Sequence, residues 1–166
     1  MSETITIRRA AAADLPALCQ LAEALARQHA GYDPGRYQTP VDVATAYAGL
    51  FSDHIDQPES VLMVADWDGA VAGYVFGAIE PPSLVELAGR VGWIHDLYVS
   101  PTARGRGTGG NLLDAAVTGL RSLGCPGGVL LGVAAQNDAA VTLFRRRGFR
   151  ATLQEMALGP WLVDDA

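Results

Sequence analysis

Residues 94–113 constrain this chain more than any other stretch. They run Ile94-His95-Asp96-Leu97-Tyr98-Val99-Ser100-Pro101, then Thr102-Ala103-Arg104-Gly105-Arg106-Gly107-Thr108-Gly109-Gly110, then Asn111-Leu112-Leu113. The order is an apolar strand, a turn, a glycine-rich loop and the opening of a helix. Without side chains at Gly105, Gly107, Gly109 and Gly110, backbone N–H groups can point outward where a helix dipole concentrates partial positive charge. Such a loop predicts an anion cradle suited to phosphate or pyrophosphate. Arg104 and Arg106 add guanidinium groups that can pair with phosphate oxygens in two-pronged fashion.

Three kinds of phosphate loop compete for these residues. A P-loop needs a lysine after its last glycine, and the chain has none, its twelve basic residues all being arginine. The run from Gly105 to Gly110 satisfies the dinucleotide spacing G-x-G-x-x-G, which is weak by itself. A dinucleotide fold would run its strand almost directly into the first glycine, with an acidic residue about 20 positions on. Here Ser100-Pro101-Thr102-Ala103-Arg104 intervenes and the next strand ends in Asn137-Asp138, which is late. A nicotinamide- or flavin-dependent oxidoreductase is therefore disfavoured.

The third kind fits. Arg104-Gly105-Arg106-Gly107-Thr108-Gly109 resembles the R/Q-x-x-G-x-G/A loop of the GNAT superfamily of acyl-CoA-dependent N-acyltransferases. Further on, Asn137-Asp138-Ala139-Ala140-Val141-Thr142-Leu143-Phe144-Arg145-Arg146-Arg147-Gly148-Phe149 is similar to that family's N-x-x-A-x-x-L-Y-x-x-x-G-F helix, departing from it at Phe144. The two motifs stand in the family's order and separation.

The 166 residues suffice for one domain with a sizeable core, expected over residues 4–160. Composition is globular, with 49% hydrophobic and 18% charged residues. No apolar run approaches the ~20 residues of a membrane span. The start, Met1-Ser2-Glu3-Thr4, lacks the regions of a secretory signal, so a soluble cytoplasmic protein is expected. Cys19 and Cys125 imply no disulfide framework. The net charge of −6 is split unevenly. Residues 1–90 carry five arginines against twelve acids, and residues 91–166 seven against six. That balance disfavours nucleic acid as a partner. It suits a basic region for cofactor phosphates beside an acidic half that attracts a cationic amine, or simply a soluble surface.

Thr4-Ile5-Thr6-Ile7-Arg8 alternates as a strand. Asp14 caps a helix with Pro16 in its first turn, whose buried face is Leu15, Leu18, Ala22 and Leu25. Thr39-Pro40 opens a second helix that runs to about His54. Two apolar runs flank Asp68-Gly69, a strong hairpin signal. Residues 83–90 form a loop with some helical character, and a strand follows to Val99. After the glycine loop, a helix stops at Gly124, Gly128 to Ala134 reads as a strand covered on both faces, Asn137 or Asp138 caps another helix, and residues 149–158 read as a last strand. The expected order is β-α-α-β-β-β-α-β-α-β. It matches the α/β (α+β) fold that the resemblance implies: a mixed, twisted sheet flanked by helices.

The resemblance implies an enzyme that lets an acceptor amine attack acetyl-CoA directly, without a covalent enzyme intermediate or a metal. It assigns pyrophosphate to Arg104, Gly105, Arg106, Gly107, Thr108 and Gly109. The pantetheine arm would pair with the backbone of Leu97, Tyr98 and Val99, reach Asn137 and pack on Phe144, with Arg146 near the phosphates. His95 stands where related enzymes carry a glutamate, and an imidazole titrating near 6.5 is a competent base at neutral pH. Glu80 and Asp96 are the alternatives. Tyr32, Tyr37 and Tyr47 border the expected acceptor site. Many members have a tyrosine at the Phe144 position that protonates the leaving thiolate. Phenylalanine cannot, although a thiol pKa near 8.5 makes a fair leaving group unaided. A non-catalytic acyl-CoA-binding module is the competing expectation. The acceptor is a small-molecule or peptide amine, no membrane partner is implied, and two copies can pair through C-terminal strands.

Overall fold

The computed structural model describes residues 4–39 and 42–159. The elements are β1 (Ile5–Arg9), α1 (Leu15–Tyr32), α2 (Val43–His54), β2 (Ser60–Trp67), β3 (Ala70–Glu80), β4 (Val91–Val99), α3 (Thr108–Ser122), β5 (Val129–Leu131) and α4 (Asp138–Arg146). The strands lie in chain order in one sheet, antiparallel from β1 to β4, with β5 added parallel to β4. Such a parallel step needs a crossover, which α3 supplies.

Local sequence explains most boundaries. Asp68 and Gly69 both take positive φ, 51° and 88°, which suits a two-residue hairpin between Trp67 and Ala70. Asp42 caps α2 by accepting the Thr45 N–H at 2.9 Å. The expected opening of that helix at Thr39-Pro40 falls partly outside the described residues, since Pro40 does, as Met1-Ser2-Glu3 do. Asp14 precedes α1 but does not cap it. Its carboxylate accepts two bonds from Arg8, at 2.7 and 2.9 Å, and the Ala11 N–H at 2.8 Å. The Arg8 guanidinium holds that carboxyl below the usual range and ties β1 to the start of α1.

The core has two halves because β-strand side chains alternate between faces. On one face α1 and α2 cover Leu62, Val64, Tyr74, Phe76 and Tyr98 with Leu18, Ala22, Leu25 and Phe51. On the other, α3 and α4 cover Val61, Ala65, Val75, Ile79 and Ile94 with Leu112, Leu113, Ala116, Leu120 and Phe144. Gly77 and Gly92 lie under Leu120, where a Cβ would meet its side chain at 3.3 and 3.0 Å. Their bareness lets the helix sit close.

Two expectations fail. Residues 83–90 are not helical: Ser83 and Ala88 pair in a small hairpin, with Leu87 at φ 51°. Residues 149–158 form no strand. Leu153, Met156 and Leu158 stand exposed, and the segment is held to α1's end by an ion pair between Arg36 and Glu155. Those three apolar residues do not alternate with period two, so no register would bury them on one face. The β5 strand is only three residues long.

Between β3 and β4, Tyr74 is fully buried and its hydroxyl donates to Asp96 Oδ2 at 3.0 Å. Burial raises the Asp96 carboxyl above its ordinary value, and hydrogen bonds from Tyr74 and Tyr47 only partly oppose the shift.

Two outcomes test this packing. Leu120 is fully buried, so Leu120→Ala should cost about 2–5 kcal/mol in urea denaturation. A loss well under that range would mean α3 is not pinned there. For Asp96 the sign follows from its raised carboxyl. The stability tied to its protonated form is full below the unfolded carboxyl's pKa and is lost as pH rises through the raised folded value. Asp96→Asn removes that loss, so its melting temperature should gain on the wild type's as pH rises above about 4. A constant difference would contradict the shift.

Candidate active site

The site grows from one irregularity in β4. Phe76 pairs with Asp96, but the next residue, Gly77, pairs with Ile94, so β4 carries one residue more than β3 across this step. A bulge of this kind bends the strand and shifts its alternation. Before the bulge, Gly92 donates its N–H toward β5, to Gly128 at 2.9 Å. After it, Ser100, also even-numbered, donates toward β3, to Ala72 at 2.8 Å. The parity has flipped.

Three consequences follow. His95 and Asp96 are neighbours in sequence, yet both lie on the α1/α2 face: His95 stacks on Phe76 with centroids 5.2 Å apart, and Asp96 takes the Tyr74 hydroxyl. Second, alternation aims the amides of Leu97 and Val99 away from β3. Third, pairing of β4 with β5 ends at Ile94–Leu131, so those amides face a gap where the two parallel strands part. A ligand with its own donors and acceptors can pair with such an edge.

The glycine loop closes one end of the gap. A short turn, Pro101–Ala103, leads into it. Gly105 and Gly107 take φ of 75° and 81°, in the region that favours glycine, and the space a Cβ would take is open at both. The Asn111 N–H donates to the Gly107 carbonyl at 3.0 Å. The amides of Thr108, Gly109 and Gly110 therefore precede the helical ladder of α3. The buried Thr108 hydroxyl donates to the Ala103 carbonyl at 3.0 Å and fixes the loop's curvature.

The arginines divide the work differently from expectation. Arg104 turns back toward the gap, where Nε donates to the Val99 carbonyl at 2.9 Å, a second nitrogen donates to Gln28 Oε1 at 3.2 Å, and the guanidinium lies 5.4 Å from the Tyr98 ring. Arg106 lies over Trp67, 4.6 Å from its ring centroid. Arg146 is exposed on the last turn of α4. Its neighbour Arg147 is the one that reaches α3, bonding Asp114 at 2.8 Å and lying across Gly110 so closely that a Cβ there would collide. Sequence reasoning missed Arg147. The sequence signal for it is Gly110, whose missing Cβ leaves room for the Arg147 guanidinium. Asn137 caps α4, accepting the Ala140 N–H at 3.2 Å, and Phe144 is buried beside Phe149.

On the other face of β4 the structure brings together all three residues weighed as the base. His95, Glu80 and Asp96 line one cavity of about 310 Å³ with Tyr47, Leu50, His54, Phe76 and Ala78. His95 Nε2 lies 3.1 Å from Glu80 Oε1, a pairing that orients the ring. Asp96 is engaged by Tyr74 and Tyr47, and burial together with the Asp96 charge pushes both phenols up. Of the three tyrosines expected at the acceptor, Tyr47 lines this cavity. Tyr32 and Tyr37 pack around His29 instead, with centroids 6.1 and 4.9 Å from its ring.

Amides at a helix start, an unpaired strand edge and a cavity holding a histidine–carboxylate pair thus meet at one bulge. They can hold an anion at one end of an extended ligand and manage a proton at the other. Among the described residues no group of His, Cys, Asp and Glu is placed to hold a metal ion, and no helix is long and apolar enough to cross a membrane.

Comparison with known proteins accords with this geometry. The sequence profile of the Acetyltransferase (GNAT) family matches residues 20–149. An L-methionine sulfoximine/L-methionine sulfone acetyltransferase of Pseudomonas aeruginosa is 31% identical over 157 residues, covering 93% of this chain and 85% of that one. A mycothiol acetyltransferase of Geodermatophilus obscurus is 40% identical over 84 residues, half of this chain and 27% of the relative. In fold, the chain is similar to a predicted acetyltransferase from Clostridium acetobutylicum solved with acetyl-CoA, at a TM-score of 0.72 and 20% identity, covering 94% of this chain and 96% of the other. The chain belongs to the GNAT family of acetyltransferases and is an acetyl-CoA-dependent acyltransferase.

Proposed function

We propose that the protein moves an acetyl group from acetyl-CoA to the primary amine of a small acceptor by direct attack. The observation that carries this reading is the bulge, which puts a proton-handling pair on one face of β4 and a bare strand edge beside it. The relative named for L-methionine sulfoximine and L-methionine sulfone supports a small molecule over a protein as acceptor.

Acetyl-CoA supplies the acetyl group as a thioester, already activated toward an amine. The chain's residues fit such a ligand. Open space at Gly105 and Gly107 lets phosphate oxygens approach the backbone, and the amides of Thr108, Gly109 and Gly110 add donors at the positive end of α3. Arg106, on the same exposed loop, supplies charge. Arg104 acts less as a phosphate ligand than as a brace, since it already holds the Val99 carbonyl that borders the gap. The amides of Leu97 and Val99 serve the ligand's amide-bearing arm and polarise its carbonyl.

His95 is the base in this reading. With the proton on Nε2 directed at Glu80, Nδ1 keeps a lone pair for the acceptor's proton. Glu80 positions the ring. Asp96 is a poor base because Tyr74 and Tyr47 occupy its carboxyl; it fixes the bulge instead. Phe144 offers no proton to the departing thiolate, so that proton comes from solvent or is not needed.

Two variants separate binding from chemistry. His95→Ala should lower amine-dependent thiol release by about 10²–10⁴-fold while CoA affinity stays within about twofold. Equal losses in both would remove His95 from the proton transfer. Gly107→Val forces a branched residue to φ near 81° and blocks the backbone's approach to phosphate. CoA affinity should fall about tenfold or more, or ~1.4 kcal/mol, read by calorimetry. Unchanged affinity would place the phosphates elsewhere.

A further inference from the structure

The cavity beside His95 has an unusual charge inventory. Its ionisable lining is two carboxyl groups, two imidazoles and the Tyr47 phenol, with no arginine. Lysine is absent from the whole chain, and all twelve arginines lie among the described residues, so no permanent cation from this chain lines the cavity. Many arginines are bound elsewhere: Arg8 to Asp14 and Asp66, Arg36 to Glu155, Arg90 to Glu59, Arg147 to Asp114. The imidazoles are engaged as well. His54 Nδ1 lies 2.8 Å from the Leu50 carbonyl, and His95 Nε2 is 3.1 Å from Glu80. The rest of the lining is apolar or aromatic: Leu50, Phe76 and Ala78.

We infer that the acceptor is an ammonium ion on an uncharged, largely apolar body, and that the site rejects amines carrying a carboxylate next to the nitrogen. This rests on the transfer reading above and narrows it. A carboxylate entering the cavity loses water and meets Glu80 and Asp96 with no fixed cation to offset the loss. An ammonium ion meets carboxyl oxygen at Glu80 and the half-buried ring of Tyr47. The volume, at the small end for ligand pockets, suits a compact body. The acceptors named for the Pseudomonas relative are amino-acid derivatives and carry a carboxylate, so this site would select differently from that enzyme.

Matched pairs test the inference with the full-length protein saturated with CoA: 2-phenylethylamine against phenylalanine, isopentylamine against leucine, and 3-(methylthio)propylamine against methionine. Affinity is measured by calorimetry, and thiol release from acetyl-CoA is measured in parallel. Within at least one pair the amine should bind about tenfold or more tightly than its amino acid, with no pair reversed. Leu50→Arg, which places a cation in the lining from a half-buried helix position, should shrink or reverse that preference. Ala78→Arg serves the same purpose if the first variant does not fold. Equal or tighter binding of the amino acids overturns the proposal, as does the failure of all three amines to bind. Amine binding without thiol release would uphold it and overturn the transfer reading instead.

Discussion

One extra residue in β4 organises this protein. Were β4 regular, His95 and Asp96 would point to opposite faces, and one of them would stand among the apolar side chains under α3. The bulge puts both on the α1/α2 face and returns Leu97 and Val99 to the α3 face, so the core closes on either side of it. It also turns the strand's spare amides outward where β5 has left. Tyr74 holds the device in place: its ring fills the core and its hydroxyl reaches Asp96 at 3.0 Å. A buried tyrosine must find a partner for its hydroxyl, and a half-buried carboxyl must find donors. Each meets the other's need.

The same device divides the ligands. Behind the strand, toward α3, the chain offers amides, glycines and Arg106; in front, toward α2, it offers carboxyls, imidazoles and rings. The backbone of β4 is the wall between them. In the proposed reaction a group carried along the gap and a nucleophile seated in the cavity would meet at the bulge. Positioning of this kind accounts for much of what an enzyme must do when its substrate arrives already activated.

Much of this was legible in the sequence. The glycine loop, the helix after it and the Asp68-Gly69 hairpin stand where the pattern puts them, and the three residues weighed as the base line one cavity. Even the bulge left a trace. Ile94 and Leu97 are three apart and share a face, as do Leu97 and Val99, two apart, so the apolar period breaks once, across His95 and Asp96. What could not be read was non-local. Nothing near Asp96 in the sequence announces Tyr74 or Tyr47, which arrive from β3 and α2. Nothing distinguishes Arg147 from Arg146 until α4 is laid against α3 and only one of them meets Asp114. The last strand failed for a physical reason: β-forming residues at Leu153, Met156 and Leu158 do not make a strand without a period that buries them.

The uneven charge of the chain takes on a specific meaning once the fold is known. Acidic excess in residues 1–90 is consistent with mere solubility, yet Glu80 from that half lines the same cavity as Asp96, while Arg106 of the loop lies away from it, over Trp67. In a low-dielectric cleft a fixed charge acts over several ångströms with little screening. Anionic phosphates and a cationic acceptor would then be drawn to opposite sides of one strand, each repelled from the other's seat. The sorting needs no moving part. It follows from which face of β4 each residue occupies, and so from the parity that one bulge sets.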